Sequence, residues 1–565
     1  MKKVEKKPLI SYSCIRPDDR GKSIGDVIKM LPSKKSIEWV SSLHFRKSTS
    51  SINQLDYELF SPLMSYIDNK LKNNIEGYIQ EVEGKDYGFI DNVALLILLD
   101  KLLTVHNDNI NELSEANYSN LMIAYLMCCD ERISLSEDTV DIINENMDAD
   151  SFVKIYLPER LKYYDTEYRD IRVELIRSFM FKDFCEKNDT FKPLFEIYLN
   201  SMNTRNWEEY QFFVLDLYSR MTQKSDGRTN GFEINPVSYY GRKYLDAMSV
   251  DINNFKTSPD FERIRDKPVY YQGDNKYHIL SINFFIDKLF QSFLFDFAKV
   301  LAVHNKVSFK MSYGDLKSKV GDLFSEKCLF YAIMQCCFEQ TCDVRISGQE
   351  LKECLKGGEP DYYLRKGKNI FLFEFKDVML NAKTKHCDDF AKIKQEILKK
   401  FESSISKNNR TQDKGITQLL NVIEYKLDDI NKEIDKVEYS DDLNVFPVII
   451  YQDCNFDIEG VNYILNNRFQ ELLKPRNILK QYIIQNLVMF SLTTLIQLED
   501  FFSKGELDLG QIIEGYINEC SLSKWKNTRP FEKYILSYAI YKGYNKENTK
   551  RFDDIIDSIE KKIIK

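Results

Sequence analysis

Between about Ser50 and Lys224 the apolar residues recur every three or four positions, as in Leu55, Leu59, Met64 and Ile67, or Ile171, Leu175, Ile176 and Phe179. That period belongs to amphipathic helices, and strand-like alternation is scarce, so the spacing predicts a helical array. No motif recurs at a fixed period. The echo of Leu103-Thr104-Val105-His106-Asn107 in Leu301-Ala302-Val303-His304-Asn305 is a coincidence of helix ends. Turn formers crowd Ser225-Asp226-Gly227-Arg228-Thr229-Asn230-Gly231, which places a boundary near or after this loop.

The pattern then changes. Pro268-Val269-Tyr270-Tyr271, Gly273-Asp274-Asn275 and Tyr277-His278-Ile279-Leu280 predict a short hairpin, followed by an apolar helix from Phe284 to Val303. Beyond it helices alternate with strands. The helices are 323–338, 413–434 and 461–473; the strands are 360–364, 370–378 around a Gly367-Lys368-Asn369 turn, 445–451, and one within 483–492. From about Gly505 a helical pattern returns, with Trp525 and Tyr534 on apolar faces. The expected fold is α+β and multidomain: a basic N-terminal arm (1–48), a helical domain (49–255), a mixed α/β sheet domain (256–505) and a helical C-terminal cap (506–565).

Length agrees with that partition, since 565 residues exceed what one hydrophobic core usually supports. A net charge of −8 excludes a polycation that coats nucleic acid, so any nucleic-acid site must be local. The longest apolar run, Val93 to Leu103, is broken by Asp100 and Lys101 and is too short to cross a bilayer, so no membrane partner is expected. The N-terminal residues do not develop an export signal. Twelve cysteines without a C-x-x-C pair suit reduced thiols, and a cytoplasmic protein is expected. Abundant Lys, Asn and Ile suit an AT-rich bacterial genome.

One segment carries candidate chemistry: Gly357-Gly358-Glu359-Pro360-Asp361-Tyr362-Tyr363-Leu364, a turn, then Phe371-Leu372-Phe373-Glu374-Phe375-Lys376-Asp377. Side chains alternate along a strand, so Glu374 and Lys376 share one face while Phe373 and Phe375 enter a core on the other. Asp361, beside an edge-tolerated Pro360, reaches the same cluster if the hairpin register allows. Two carboxylates and an ammonium suit phosphodiester hydrolysis with Mg²⁺ or Mn²⁺. Magnesium takes one or two carboxylates, waters and a substrate phosphate oxygen at about 2.0 to 2.1 Å. Lys376 would orient the attacking water and stabilise charge on the phosphate.

Pro360-Asp361 followed by Glu374-Phe375-Lys376 resembles the signature of the PD-(D/E)XK nuclease superfamily, over about Gly321 to Leu492. The resemblance implies a helix–strands–helix core and metal-dependent cleavage of DNA, less often RNA. It also implies a metal-supporting Glu on the upstream helix, which makes Glu326 the candidate, and a Gln facing the site from Lys414-Gly415-Ile416-Thr417-Gln418. Asp361, Glu374, Lys376 and Gln418 are thus the expected catalytic residues, with Asp361, Glu374 and Glu326 on the metal.

From Lys376 to Lys414 ten basic residues face six acidic ones, and Lys383, Lys385 and Lys414 are the expected nucleic-acid contacts. The first 48 residues are also basic, twelve against five, as an arm touching nucleic acid or a solubilising terminus. Arg20-Gly21-Lys22-Ser23 lacks the upstream Gly of a phosphate-binding loop. Cys328, Cys336, Cys337 and Cys342 are spaced for core packing and not for a cluster. The five histidines are scattered, with His386 just after the hairpin. The expected function is a metal-dependent nuclease, serving in defence against mobile DNA, whose helical half recognises a partner protein or nucleic-acid structure. The alternatives are an inactive nuclease fold that binds nucleic acid or acts as a scaffold, and a helical interaction protein whose Glu-Phe-Lys strand is incidental.

Overall fold

The computed structural model describes residues 9–15, 23–49, 56–81, 88–109, 111–133, 148–167, 169–222, 231–233, 240–304, 312–355, 357–405, 411–437, 443–522, 526–544 and 549–563. The boundary loop at 225–230, Leu55, Trp525 and Arg20-Gly21-Lys22 lie outside these residues. The chain is mostly helical, with a mixed sheet in its second half.

The predicted helical array is present, and its first part builds its own core. Helices Ser33–Thr49, Asn92–Thr104 and Glu115–Ile133 bury Ile37, Val40, Leu43, Leu95, Leu99, Leu121 and Leu126, joined by Ile10, Val27 and Leu31. In the described part of 1–48 most apolar residues belong to this core, Phe45 belongs to a second one, and the described lysines are exposed or half-buried on helices. A three-stranded antiparallel sheet follows, of β1 (Gly231–Glu233), β2 (Val269–Gly273) and β3 (Lys276–Ile279), in the order β1-β3-β2. The β2–β3 hairpin is the predicted one, closed by Asp274 and Asn275 at positive φ, which short Asx side chains tolerate.

The large sheet contains β4 (Val344–Ser347), β5 (Tyr362–Lys366), β6 (Asn369–Lys376), β9 (Leu443–Tyr451), β10 (Tyr482–Ile484) and β11 (Val488–Ser491), while β7 (Ser403–Ile405) and β8 (Thr411–Asp413) pair apart from it. Its order is β10-β9-β6-β5-β4, with β11 also on β9; β6, β9, β10 and β11 are parallel, and β4 and β5 antiparallel. Both faces are covered, which is why β6 and β9 are continuous apolar runs. Phe371, Phe373, Phe375, Phe446, Val448 and Ile450 meet one helical layer; Ile370, Leu372, Val445, Ile449 and Tyr451 meet another that includes helices Phe390–Phe401, Gly415–Tyr425 and Val461–Leu473.

Pro447 stands in the interior of β9 without a donor to give. Gln485 N–H binds the Val445 carbonyl, so alternate residues of β9, Pro447 among them, face β10 and β11. That side is vacated between Ile484 and Val488, so the missing N–H falls opposite a break in pairing. This break also explains why the single strand expected within 483–492 is two.

The expected boundaries near 255 and 505 are corrected by the cores. Leu175, Phe181, Phe213 and Val214 share one core with Phe373 and Ile450 of the sheet and with Leu509, Ile513, Phe531 and Ile559 of the C-terminal helices. The second part of the helical half and the cap are therefore one of the layers that cover the sheet. Among the described residues no helix is long and apolar enough to cross a membrane.

His44, on helix Ser33–Thr49, is fully buried, and neither ring nitrogen has a hydrogen-bond partner among the described residues. Burial pushes it down to about 4, and it pushes the buried His278 to about 4 as well. An unfolded histidine takes its proton below about 6.5, whereas these resist until about 4, so their contribution to stability is complete above 6.5 and is lost as pH falls toward 4. His44→Leu should flatten the acid limb of the unfolding free energy, read from denaturant melts at each pH, by about 1.4 kcal/mol per pH unit in that window. Equal acid sensitivity in both proteins would contradict the assignment.

Candidate active site

The register of the hairpin settles which face each charge takes. Tyr362 pairs with Phe373 and Tyr363 with Leu372, so Asp361, one residue before β5, falls opposite Glu374. Glu374 continues the face of Ile370 and Leu372, opposite Ile449 of β9, and Lys376 follows it opposite Tyr451. Alternation thus brings Asp361, Glu374 and Lys376 to one face at the end of the sheet where the parallel strands terminate. In open α/β sheets such ends are the usual place for a site.

Lys376 Nζ donates to Glu374 Oε2 at 2.8 Å and lies 3.9 Å from Asp361 Oδ2. Asp361 Oδ2 also accepts the Phe375 N–H at 2.8 Å, which fixes the carboxylate against the strand. Glu374 has no exposed surface, and among the described residues its Oε1 has no hydrogen-bond partner. Burial, followed by the neighbouring Asp361 charge, raises Glu374 well above the ordinary carboxylate range. Burial works against the charge on Lys376, but Glu374 and Asp361 outweigh it and hold the ammonium above its ordinary value.

Glu326 joins the rim of this group from the helical segment Gly321–Phe330, which has the wide π-type turn often found at functional sites. Burial and then Asp361 raise it to about 7, and Tyr331 Oη donates to its Oε1 at 3.3 Å. Asp377 docks that segment and the helix before it, Tyr313–Val320, on the strand: its carboxylate accepts Ser325 Oγ at 2.8 Å and Lys317 Nζ at 2.6 Å. Sequence reasoning missed Asp377, although a charge one residue past Lys376, on the apolar face of Phe373 and Phe375, was the available signal.

Two glycines let the backbone close around the group. A Cβ on Gly415 would stand 2.8 Å from the Phe401 carbonyl oxygen and 3.6 Å from Lys376 Cε, so helix Gly415–Tyr425 approaches only as glycine. Gly348 donates to the Asp361 carbonyl at 2.8 Å, and a Cβ there would lie 2.8 Å from the Pro360 oxygen. Gly348 follows the helix cap Ser347, which forms a capping box with Glu350. That S-x-x-E pattern was legible in the sequence and marks the helix whose start supports Asp361.

The remaining expected residues divide. Lys414 is half-buried beside the group, where burial and then the charges of Lys400, Lys376 and Lys399 lower it. Gln418 is half-buried one turn further on, and among the described residues no hydrogen bond joins its side chain to the cluster. Lys383 is exposed on the short helix Ala382–Lys385, also without a bond to it. Lys385 is corrected: its ammonium is buried against Asp165 Oδ2 at 2.8 Å and Asp260 Oδ2 at 2.5 Å, in a group that includes Arg265, and offers nothing to a phosphate. His386 stands at the edge of that group, 3.5 Å from Asp260.

The donor set fits a hard divalent cation in one respect that the geometry makes plain. Glu374 presents an unpaired buried oxygen next to a second carboxylate, a combination that a cation relieves. Among the described residues no three His, Cys, Asp or Glu side chains are gathered into a complete metal cage. Two protein carboxylates with water and substrate oxygens are the arrangement magnesium commonly takes. No protein-family model, curated protein or solved structure matches the chain.

Because charge on Glu374 is disfavoured without a cation, Glu374→Gln should melt at or above the wild-type temperature in EDTA. It should also lose the rise in Tm that Mn²⁺ gives the wild type. A variant that melts lower in EDTA and still responds to Mn²⁺ would show that Glu374 is an ordinary structural ion-pair partner.

Proposed function

We propose that the chain is a metal-dependent nuclease whose residues from about 321 to 492 follow the PD-(D/E)XK plan and hydrolyse phosphodiester bonds, in DNA ahead of RNA. The observation that supports this most is the convergence of Asp361, Glu374 and Lys376 on one face, around a buried carboxylate with an unpaired oxygen. Asp361 and Glu374 would hold Mg²⁺ or Mn²⁺, which supplies Lewis-acid polarisation of the scissile phosphate when bound. Lys376, pinned by Glu374 Oε2, orients a water in line with the phosphorus, and its charge stabilises what develops on the phosphoryl oxygens. Glu326, at the rim of the same group, is the further carboxyl that would support the metal or take the proton the water loses as the new P–O bond forms and the leaving oxygen departs.

A second reading is a nuclease-fold protein that binds nucleic acid or a partner without cutting, its charged group held by the Lys376–Glu374 ion pair. Purified protein with Mg²⁺ or Mn²⁺ should cleave plasmid or linear DNA, and EDTA should stop it. Lys376→Ala should lower the rate on the order of a hundred- to a thousandfold while the protein stays folded. Retained cleavage in Lys376→Ala would refute the assignment. Cleavage of no DNA or RNA substrate by the wild type would favour the second reading.

A further inference from the structure

Three lysines are held around the outlet of this site by backbone geometry. The Lys414 N–H donates to the Glu402 carbonyl at 2.9 Å, and Gly415 rests on the Phe401 carbonyl beside Lys376, so the last turn of helix Phe390–Phe401 abuts the charged end of β6. That turn carries Lys399 and Lys400. Burial first, and then the charges of Lys400, Lys376 and Lys399, lower the Lys414 ammonium.

The nearby acids are engaged elsewhere. Glu402 is gripped by Arg468 through Nε at 3.0 Å and Nη2 at 2.8 Å, Glu396 by Lys399 at 3.2 Å, and Asp413 accepts Asn421 Nδ2 at 2.9 Å. Among the described residues neither Lys400 nor Lys414 has a carboxylate within ion-pair distance. Lys400 and Lys414 are thus two lysines without a carboxylate partner among the described residues of a protein of net charge −8.

The geometry points to Lys399, Lys400 and Lys414 as contacts for the backbone phosphates of a polynucleotide, beside the bond that Lys376 addresses. The inference rests on the nuclease reading for the position of that bond, but not for the binding itself. Lys400 and Lys414 are new to the site as a pair, and Lys399 shares its charge with Glu396. A repeating anion fits better than a single one, because Lys399 and Lys400 stand on the last turn of one helix and Lys414 at the start of another. The contacts are to phosphate, so they position the strand without reading its bases.

The test is equilibrium binding of a fluorescent oligonucleotide in EDTA over a range of salt, so that cleavage plays no part. Lys400→Ala/Lys414→Ala should bind on the order of tenfold more weakly per lysine near 0.1 M salt. The slope of log K against log salt should fall by about 1.4 to 1.8. Lys70→Ala/Lys561→Ala, which removes exposed lysines from other helices, should keep the wild-type slope. These contacts are refuted if the wild type binds no oligonucleotide at about 50 mM salt, if the double variant keeps wild-type affinity and slope, or if polyglutamate competes as well as DNA. Salt-dependent binding that weakens as expected, with no cleavage once Mg²⁺ is added, supports the contacts and contradicts only the nuclease reading.

Discussion

Burying a carboxylate at the end of an apolar strand is the constraint around which this protein is arranged. Glu374 has no exposed surface, one unpaired oxygen, and Asp361 close enough to oppose its charge. Such a group is tolerated when an ammonium is pinned beside it and the surrounding structure holds everything in place. Lys376 supplies the ammonium, and the parallel pairing of β6 with β9 supplies the frame. Gly415 and Gly348 then allow a helix start and a neighbouring backbone to close in where any side chain would collide. Strain of this electrostatic kind persists at functional sites because function gains from it.

The same sheet end is tied to the helical half by buried charge. A few residues past β6, Lys385 is held by Asp165 and Asp260, and Arg265 binds both of those carboxylates. Asp260 and Phe261 adopt positive φ there, so local backbone preference yields to the demands of this network. Arg169 extends it to Asp287 and to the Cys454 thiol just after β9. The helical half is thereby joined to the segments that leave the candidate site.

Much of this was legible in the sequence. The Glu-x-Lys alternation required a shared face, and the turn at Gly367 allowed the register that puts Asp361 opposite Glu374. Helix 461–473 and a buried strand at 445–451, observed two residues longer as Leu443–Tyr451, followed from the apolar pattern alone. Domain limits were not legible, because apolar spacing tells a helix which face to bury but not what will cover it. Phe181, Phe373 and Ile513 lie far apart in the chain and meet in one core. Lys385 was misplaced for a related reason: a lysine in a basic run reads as solvated until the tertiary fold brings Asp165 and Asp260 to it. The glycines were silent because their role is set by the carbonyl that approaches them.

Metal binding followed by its proton count tests the central claim most directly. Three carboxyls share one ammonium here, so the group retains a proton near neutral pH that a cation must displace. Calorimetric titration of Mn²⁺ at pH 7, in buffers of different ionisation enthalpy, should show binding with release of up to about one proton, and both binding and release should be lost in Glu374→Gln. Absence of Mn²⁺ binding, or binding that Glu374→Gln leaves unchanged, would contradict the account.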